Sequence, residues 1–214
     1  MVSPPNTSTL VSHSNTFNYQ RQFFEGLVVI AVYFAAARLG LSLAFLNASV
    51  SPIWPPTGVA IAAVLLLGSR IWPAILIAAF LANLLTPVSP GVAAGIAAGN
   101  TIEALLAGYL LQKLSFHNAL DRARDVFALV VAAMACSTAS ATIGTISLLI
   151  GGATAGAELF SLCITWWLGD SVGALLVAPL FIVWSSRTSW WSRQRTLEAI
   201  LILVLLAGSA LATF

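Results

Sequence analysis

The sequence predicts an all-α integral membrane protein, a polytopic helical bundle with its N-terminus in the cytoplasm. Three observations carry that prediction. Hydrophobic residues make up 59% of the chain and charged residues only 7%, and mean hydropathy is +0.97, whereas soluble domains carry about 25% charged residues. The apolar residues gather into seven segments, near 23–46, 48–68, 70–86, 90–113, 125–150, 158–184 and 197–214. The basic residues sit in alternate connections between those segments. A net charge of +2 spread this thinly offers no basic patch for nucleic acid, so the lipid bilayer is the expected partner.

Residues 1–20 are rich in Ser, Thr, Asn and Pro and show no helical apolar period, which predicts a disordered cytoplasmic tail. No basic stretch opens the chain, so a cleavable signal peptide is not expected. The membrane domain is placed at 21–214, and its short connections predict antiparallel neighbours. The second segment contains Ser51-Pro52-Ile53-Trp54-Pro55-Pro56-Thr57-Gly58, which cannot be helical throughout. A proline biases the residue before it toward extended geometry, here Ser51, Trp54 and Pro55. The helix expected after it, Pro55 to Gly68, is about 21 Å long at 1.5 Å per residue, against a bilayer core of about 30 Å. Residues 51–56 are therefore expected to complete the crossing as non-helical backbone buried in protein. The positive end of the helix would then point inward, which suits an anionic group. The alternative is a helix starting near the membrane surface, with Trp54 as an interfacial aromatic.

Arg21 precedes the first segment, Arg70 follows the second, Lys113, Arg122 and Arg124 follow the fourth, and Arg187, Arg193 and Arg195 follow the sixth. The connections near 47–54, 87–90 and 151–158 contain no Lys or Arg. All basic residues but Arg38 thus share one side, which the charge rule makes cytoplasmic. Seven crossings put Phe214 on the outer side directly after an apolar run, so an eighth helix and a cytoplasmic domain are expected beyond it.

Charges within the bilayer cost at least ~2.5–3.5 kcal/mol each on insertion scales, so they mark function or obligatory pairing. Arg38 lies in the first segment, Glu103 and Asn100 in the fourth, Asn83 at the end of the third and Asp170 in the sixth. Arg38 is expected to pair with Glu103 or Asp170, leaving one acid protonated, hydrated or ligand-bound; a purely structural pair is the alternative. Gly91, Gly95, Gly99, Glu103 and Ala107 recur at every fourth position, a small-residue stripe suited to close packing that turns Glu103 toward protein. Ser137, Thr138, Ser140, Thr142, Thr145 and Ser147 read as interhelical hydrogen-bonding groups. Cys136 and Cys163 read as small buried hydrophobes. With His13 and His117 outside the apolar runs, neither a catalytic constellation nor a metal site is expected, and no cofactor.

The motifs resemble the first-described class of bacterial membrane-associated sensor (MASE) domains. The resemblance rests on residues 51–58, on Leu66-Leu67-Gly68-Ser69-Arg70-Ile71-Trp72-Pro73, Ala79-Phe80-Leu81-Ala82-Asn83 and Gly99-Asn100-Thr101-Ile102-Glu103-Ala104. Arg122-Ala123-Arg124-Asp125-Val126 and Trp166-Trp167-Leu168-Gly169-Asp170-Ser171-Val172-Gly173, with Pro179-Leu180, complete it. It covers about residues 25–214 and implies an inner-membrane sensory module of about eight helices preceding a histidine kinase or diguanylate cyclase. This chain stops after the seventh segment, so two-component and cyclic di-GMP outputs both remain open.

The expected function is therefore sensory input, with a small ligand or a membrane partner protein detected in a polar pocket and a homodimer formed through the output domain. Arg38 would contact an anion, Glu103 and Asp170 would be its partners, Asn83 and Asn100 would line the pocket, Trp54, Pro55 and Pro56 would form its outer wall, and Trp166 would complete the set. Two rivals stand beside it. A small-solute transporter would also use broken helices and midplane charges, but would usually show internal repeats. Residues 54–66 and 167–179 share only Trp54 with Trp167, Val59 with Val172 and Val64 with Val177, which is near chance. A scaffold for a partner protein is the other. The charge pattern makes a direct prediction: a reporter fused after Lys113 or Arg193 reads cytoplasmic, and one near Pro90 or Ala155 reads external. A cytoplasmic signal at Pro90 would overturn both orientation and helix count.

Overall fold

A computed structural model describes residues 7–42 and 51–186, and among them every regular element is helical. The six α-helices are α1 (Thr7–Ser42), α2 (Pro55–Leu67), α3 (Trp72–Leu84), α4 (Pro90–Lys113), α5 (Ala123–Ile150) and α6 (Leu159–Ser186). Short 3-10 turns at Ser69–Ile71 and Gly156–Glu158 lead into α3 and α6. Four helical stretches are long and apolar enough to cross a bilayer: Tyr19–Ser42, Pro90–Lys113, Ala123–Ile150 and Gly156–Ser185. The protein is thus an all-α, multi-pass membrane protein. Of the seven crossings expected from the sequence, six fall on described residues; four of these have the length of a span, and α2 and α3, with 13 residues each, are shorter. The segment 197–214 lies outside the described residues, as do Arg187, Arg193 and Arg195.

Helix α1 begins at Thr7, so residues 7–20, expected as a disordered tail, are helical. Neither Pro nor Gly occurs between Pro5 and Gly26, and nothing there interrupts a helix running upstream from the apolar segment. Glu25 accepts hydrogen bonds from Arg21 at 2.8 Å and from Arg70 at 3.3 Å, tying α1 to the turn after α2. Arg70 also donates to the Leu67 carbonyl at 3.1 Å, satisfying one of the free carbonyls at the end of α2. Gly68 leaves that helix at φ 85°, a conformation that costs glycine nothing.

The short helix α2 is the centre of the bundle. It packs against α1, α4 and α6, and Pro56 through Val64 are buried without interruption. A helix apolar all round is one surrounded by protein, which Val59-Ala60-Ile61-Ala62-Ala63-Val64 satisfies. Its neighbours are lined with alanine, including Ala37, Ala104, Ala107, Ala174 and Ala178, all buried. Small side chains let helix axes approach where lipid supplies no hydrophobic drive for association. Large apolar residues such as Phe127, Ile150, Phe160 and Leu180 instead point outward, as lipid-facing positions require.

Residues 51–54 are non-helical, as the prolines dictate. The expected break, however, extended to residue 56, whereas α2 starts at Pro55, with Trp54 as N-cap at φ −116°, ψ 83°. The first helical positions donate no intrahelical hydrogen bond, so two prolines lose nothing there. The extended segment lies on α6. The Trp54 N–H donates to the Gly169 carbonyl at 2.9 Å. The Ser51 hydroxyl donates to the Ile53 carbonyl at 2.8 Å and accepts from the Ile53 N–H at 3.3 Å. These bonds satisfy the broken backbone internally, which a membrane interior demands.

Contact this close depends on glycine in α6. A Cβ on Gly169 would fall on the Ser51 carbonyl, and one on Gly173 on the Trp54 carbonyl. In the α4 stripe, Gly95 and Gly99 do face Ser147 and Ile143 of α5, but Gly91 has open space around it. Gly173→Val should accordingly destabilise the bundle by the ~1–3 kcal/mol typical of overpacking, or more, while Gly91→Ala should be neutral or better. Thermal unfolding in detergent followed by size exclusion would distinguish them, and equal melting points would refute the docking of 51–54 on α6.

Candidate sensory site

Where α2 begins, five helices contribute polar side chains to one buried cluster. From α4, Asn100 and Glu103 occupy successive turns and are 4% and 1% exposed. The Asn100 amide donates to the Tyr33 hydroxyl of α1 at 3.1 Å. Its carbonyl oxygen accepts from Ser140 of α5 at 2.8 Å. One turn along α5, the Ser137 hydroxyl donates to Glu103 Oε1 at 2.5 Å. From α6, Asp170 is fully buried and its Oδ1 accepts from the Thr57 hydroxyl of α2 at 3.0 Å. The Glu103 and Asp170 carboxyls are neighbours within the cluster.

Trp54 is buried, Pro56 is buried and Pro55 half-buried, and Trp54 lies beside the Tyr33 hydroxyl. Its ring occupies the space left by Gly40 of α1. Trp166, 5% exposed, rests its ring on Gly144 of α5 and reaches Asp170.

The helix N-terminus does face inward, and the anionic group it meets belongs to the protein. Pro55 and Pro56 carry no N–H, and the Thr57 N–H turns back to the Trp54 carbonyl at 3.3 Å. The Thr57 side chain thus presents the positive end of α2 to Asp170, an arrangement that favours a carboxylate.

Two expected members lie elsewhere. Arg38 pairs with neither acid: the ion pairs among the described residues join Arg21 and Arg70 to Glu25. It projects from the exposed side of α1 next to Leu39, because the packed face follows Val29, Tyr33, Ala37 and Gly40, and the residue after Ala37 is rotated about 100° away at 3.6 residues per turn. Asn83 is buried, but its amide folds back to the Ala79 carbonyl of its own helix at 2.9 Å and does not join the cluster's hydrogen bonds. Its likeness to Asn100 in the sequence came from residue type and depth alone.

Tyr33, Thr57, Ser137 and Ser140 were not among the expected site residues. The serines were legible as interhelical hydrogen-bonding groups, without a partner assigned. For Tyr33 the signal was present: a phenol at mid-helix, one turn before Ala37, on the face that also carries Gly40. The intramembrane charge of Arg38 outweighed it.

The MASE1 family profile matches residues 26–214. The chain belongs to the MASE1 family. Its MASE1 match takes in all of α2 to α6 and α1 from Gly26 onward, and so every residue of the cluster. The family is a membrane sensor domain, ordinarily an input module without catalysis of its own. Neither a curated protein nor a solved structure matches this chain.

The Tyr33–Asn100 contact gives a measurable quantity. Interhelical hydrogen bonds in membrane proteins average about 0.6 kcal/mol in double-mutant cycles, with a maximum near 1.7. A cycle of Tyr33→Phe and Asn100→Ala should return a favourable coupling in that range by reversible unfolding in mixed micelles. A coupling of zero would mean that the contact contributes nothing to the bundle.

Proposed function

We propose that this MASE1 chain is the membrane-embedded input module of a bacterial signalling protein, with the buried cluster as its sensing element. The observation that supports this reading is the cluster's reach: three groups of buried hydrogen bonds, Tyr33–Asn100–Ser140, Ser137–Glu103 and Thr57–Asp170, together draw on α1, α2, α4, α5 and α6. A ligand that favours one arrangement of these groups also favours one arrangement of five helices, and differential affinity is what moves a two-state element. A small ligand entering beside the Trp54 wall, or a membrane partner protein docking on the bundle, would supply that difference. The cluster offers acceptor oxygens and hydroxyls with no cation, so Arg38 is no longer needed as an anion contact.

In this reading the module sits in the inner membrane with a cytoplasmic N-terminus. Residues 51–54 complete the crossing begun by α2, and α3 makes a short crossing. The output it feeds is a histidine kinase or a diguanylate cyclase, and that domain provides the homodimer contact.

Output activity in native membranes tests the proposal. Thr57→Val and Ser140→Ala each remove a hydroxyl from the cluster while keeping its volume nearly constant. In a chain fused to its output domain they should shift basal output by about 5–150-fold, the ordinary span of coupling free energies, without changing elution in detergent. Unchanged output in both would sink the sensory role, and solute uptake into proteoliposomes would establish transport in its place.

A further inference from the structure

We propose that Glu103 and Asp170 hold a single proton between them and that this shared proton is a latch joining α4 to α6. The inference rests on the sensory reading above and names what its central acid pair takes up. Both side chains are at least nine-tenths buried. Each has one oxygen supplied with a donor: Ser137 serves Glu103 Oε1 and Thr57 serves Asp170 Oδ1. Each also has one oxygen, Glu103 Oε2 and Asp170 Oδ2, that makes no hydrogen bond among the described residues. A buried acceptor left unpaired is costly, and a buried unpaired charge much more so.

The groups that surround the pair do not relieve this. From α1 comes Tyr33, whose hydroxyl is engaged with Asn100. From α5 comes Cys136, near Glu103, with Ser137 and Ser140. From α2 come Thr57 and the helix N-terminus, and from α6 itself Trp166. The ion pairs among the described residues all involve Glu25 and leave both acids without Lys, Arg or His. No group of three or more His, Cys, Asp or Glu forms among the described residues, so a multivalent metal has no ligand set here. One proton converts one carboxyl into a donor for the other, satisfies both orphan oxygens together and halves the buried charge. Thr57 and the positive end of α2 favour Asp170 as the ionised partner, which leaves Glu103 as the acid that carries the proton. Loss of the proton puts two like charges face to face and pushes α4 and α6 apart, the kind of small helix displacement that carries a signal.

The test uses the full 214-residue chain in nanodiscs, with stability measured against pH at constant ionic strength. The native pair keeps a proton that the unfolded chain releases, so raising the pH draws the equilibrium toward the unfolded state. Within the pair's titration range the folding equilibrium should fall about tenfold per pH unit, the slope for one proton. Glu103→Gln replaces the protonated acid by an amide that still donates to Asp170, and should remove this dependence while keeping the fold. Infrared difference spectra of the unmutated chain provide a reading that needs no variant: a deuterium-sensitive carbonyl band of one buried carboxylic acid, lost as the pH rises. A flat pH profile together with no such band would overturn the latch. Stabilisation by sodium or potassium over choline at fixed pH, lost in Glu103→Gln, would overturn it in favour of a bound alkali cation. A flat profile beside an intact output response would discard the latch and leave the sensory reading standing. A tenfold slope with output indifferent to every cluster variant would keep the latch and discard the sensory reading.

Discussion

The hydrogen bond from the Trp54 N–H to the Gly169 carbonyl, 2.9 Å long, is the contact on which the rest of the bundle depends. It holds an extended segment against a helix inside a membrane protein, where an unsatisfied backbone group costs several kcal/mol. Pro52, Pro55 and Pro56 forbid the ordinary solution, a continuous helix. Gly169 and Gly173 permit the alternative, because any side chain at either position would occupy the space of the Ser51 or Trp54 carbonyl. The break and its receptor are two halves of one device, written more than a hundred residues apart.

Its consequence is positional. Because residues 51–54 are extended and docked on α6, α2 starts inside the protein, and Thr57 reaches Asp170. The same geometry keeps α2 enclosed by α1, α4 and α6, so a disturbance at its N-terminus is felt by each of them. The polar cluster and the mechanical centre of the bundle therefore coincide, and a change in the hydrogen bonding of Asp170 has little compliant surrounding in which to dissipate.

The charges are distributed in a way that separates structure from response. Glu25 satisfies two arginines at the end of the bundle that carries Arg70, a partly solvated arrangement that anchors α1. Among the described residues Glu103 and Asp170 make no ion pair, and the Ser137 and Thr57 hydroxyls donate to them. An acid pair without a fixed cation is the costlier choice for stability alone, since apolar residues of similar volume would serve packing as well.

Much of this was legible from local rules. Apolar run length gave the long helices, the pre-proline restriction gave the extended residues before Pro55, and small-residue spacing turned Glu103 inward. Those inferences succeed because proline geometry, bilayer thickness and helical period act on a few neighbouring residues. The partners of the charges were not legible. Depth along a helix can be counted from sequence, but the face that a helix turns to its neighbours is settled by packing, and a rotation of one residue removed Arg38 from the cluster and put Tyr33 within it. Asn83 and Asn100 share a residue type and differ only in what stands opposite: the Ala79 carbonyl in one case, Tyr33 and Ser140 in the other. The sequence by itself determined that acids lie buried beside a broken helix. Only the tertiary structure decided that the helix's positive end meets one of those acids, because that meeting depends on how α6 docks against residues 51–54.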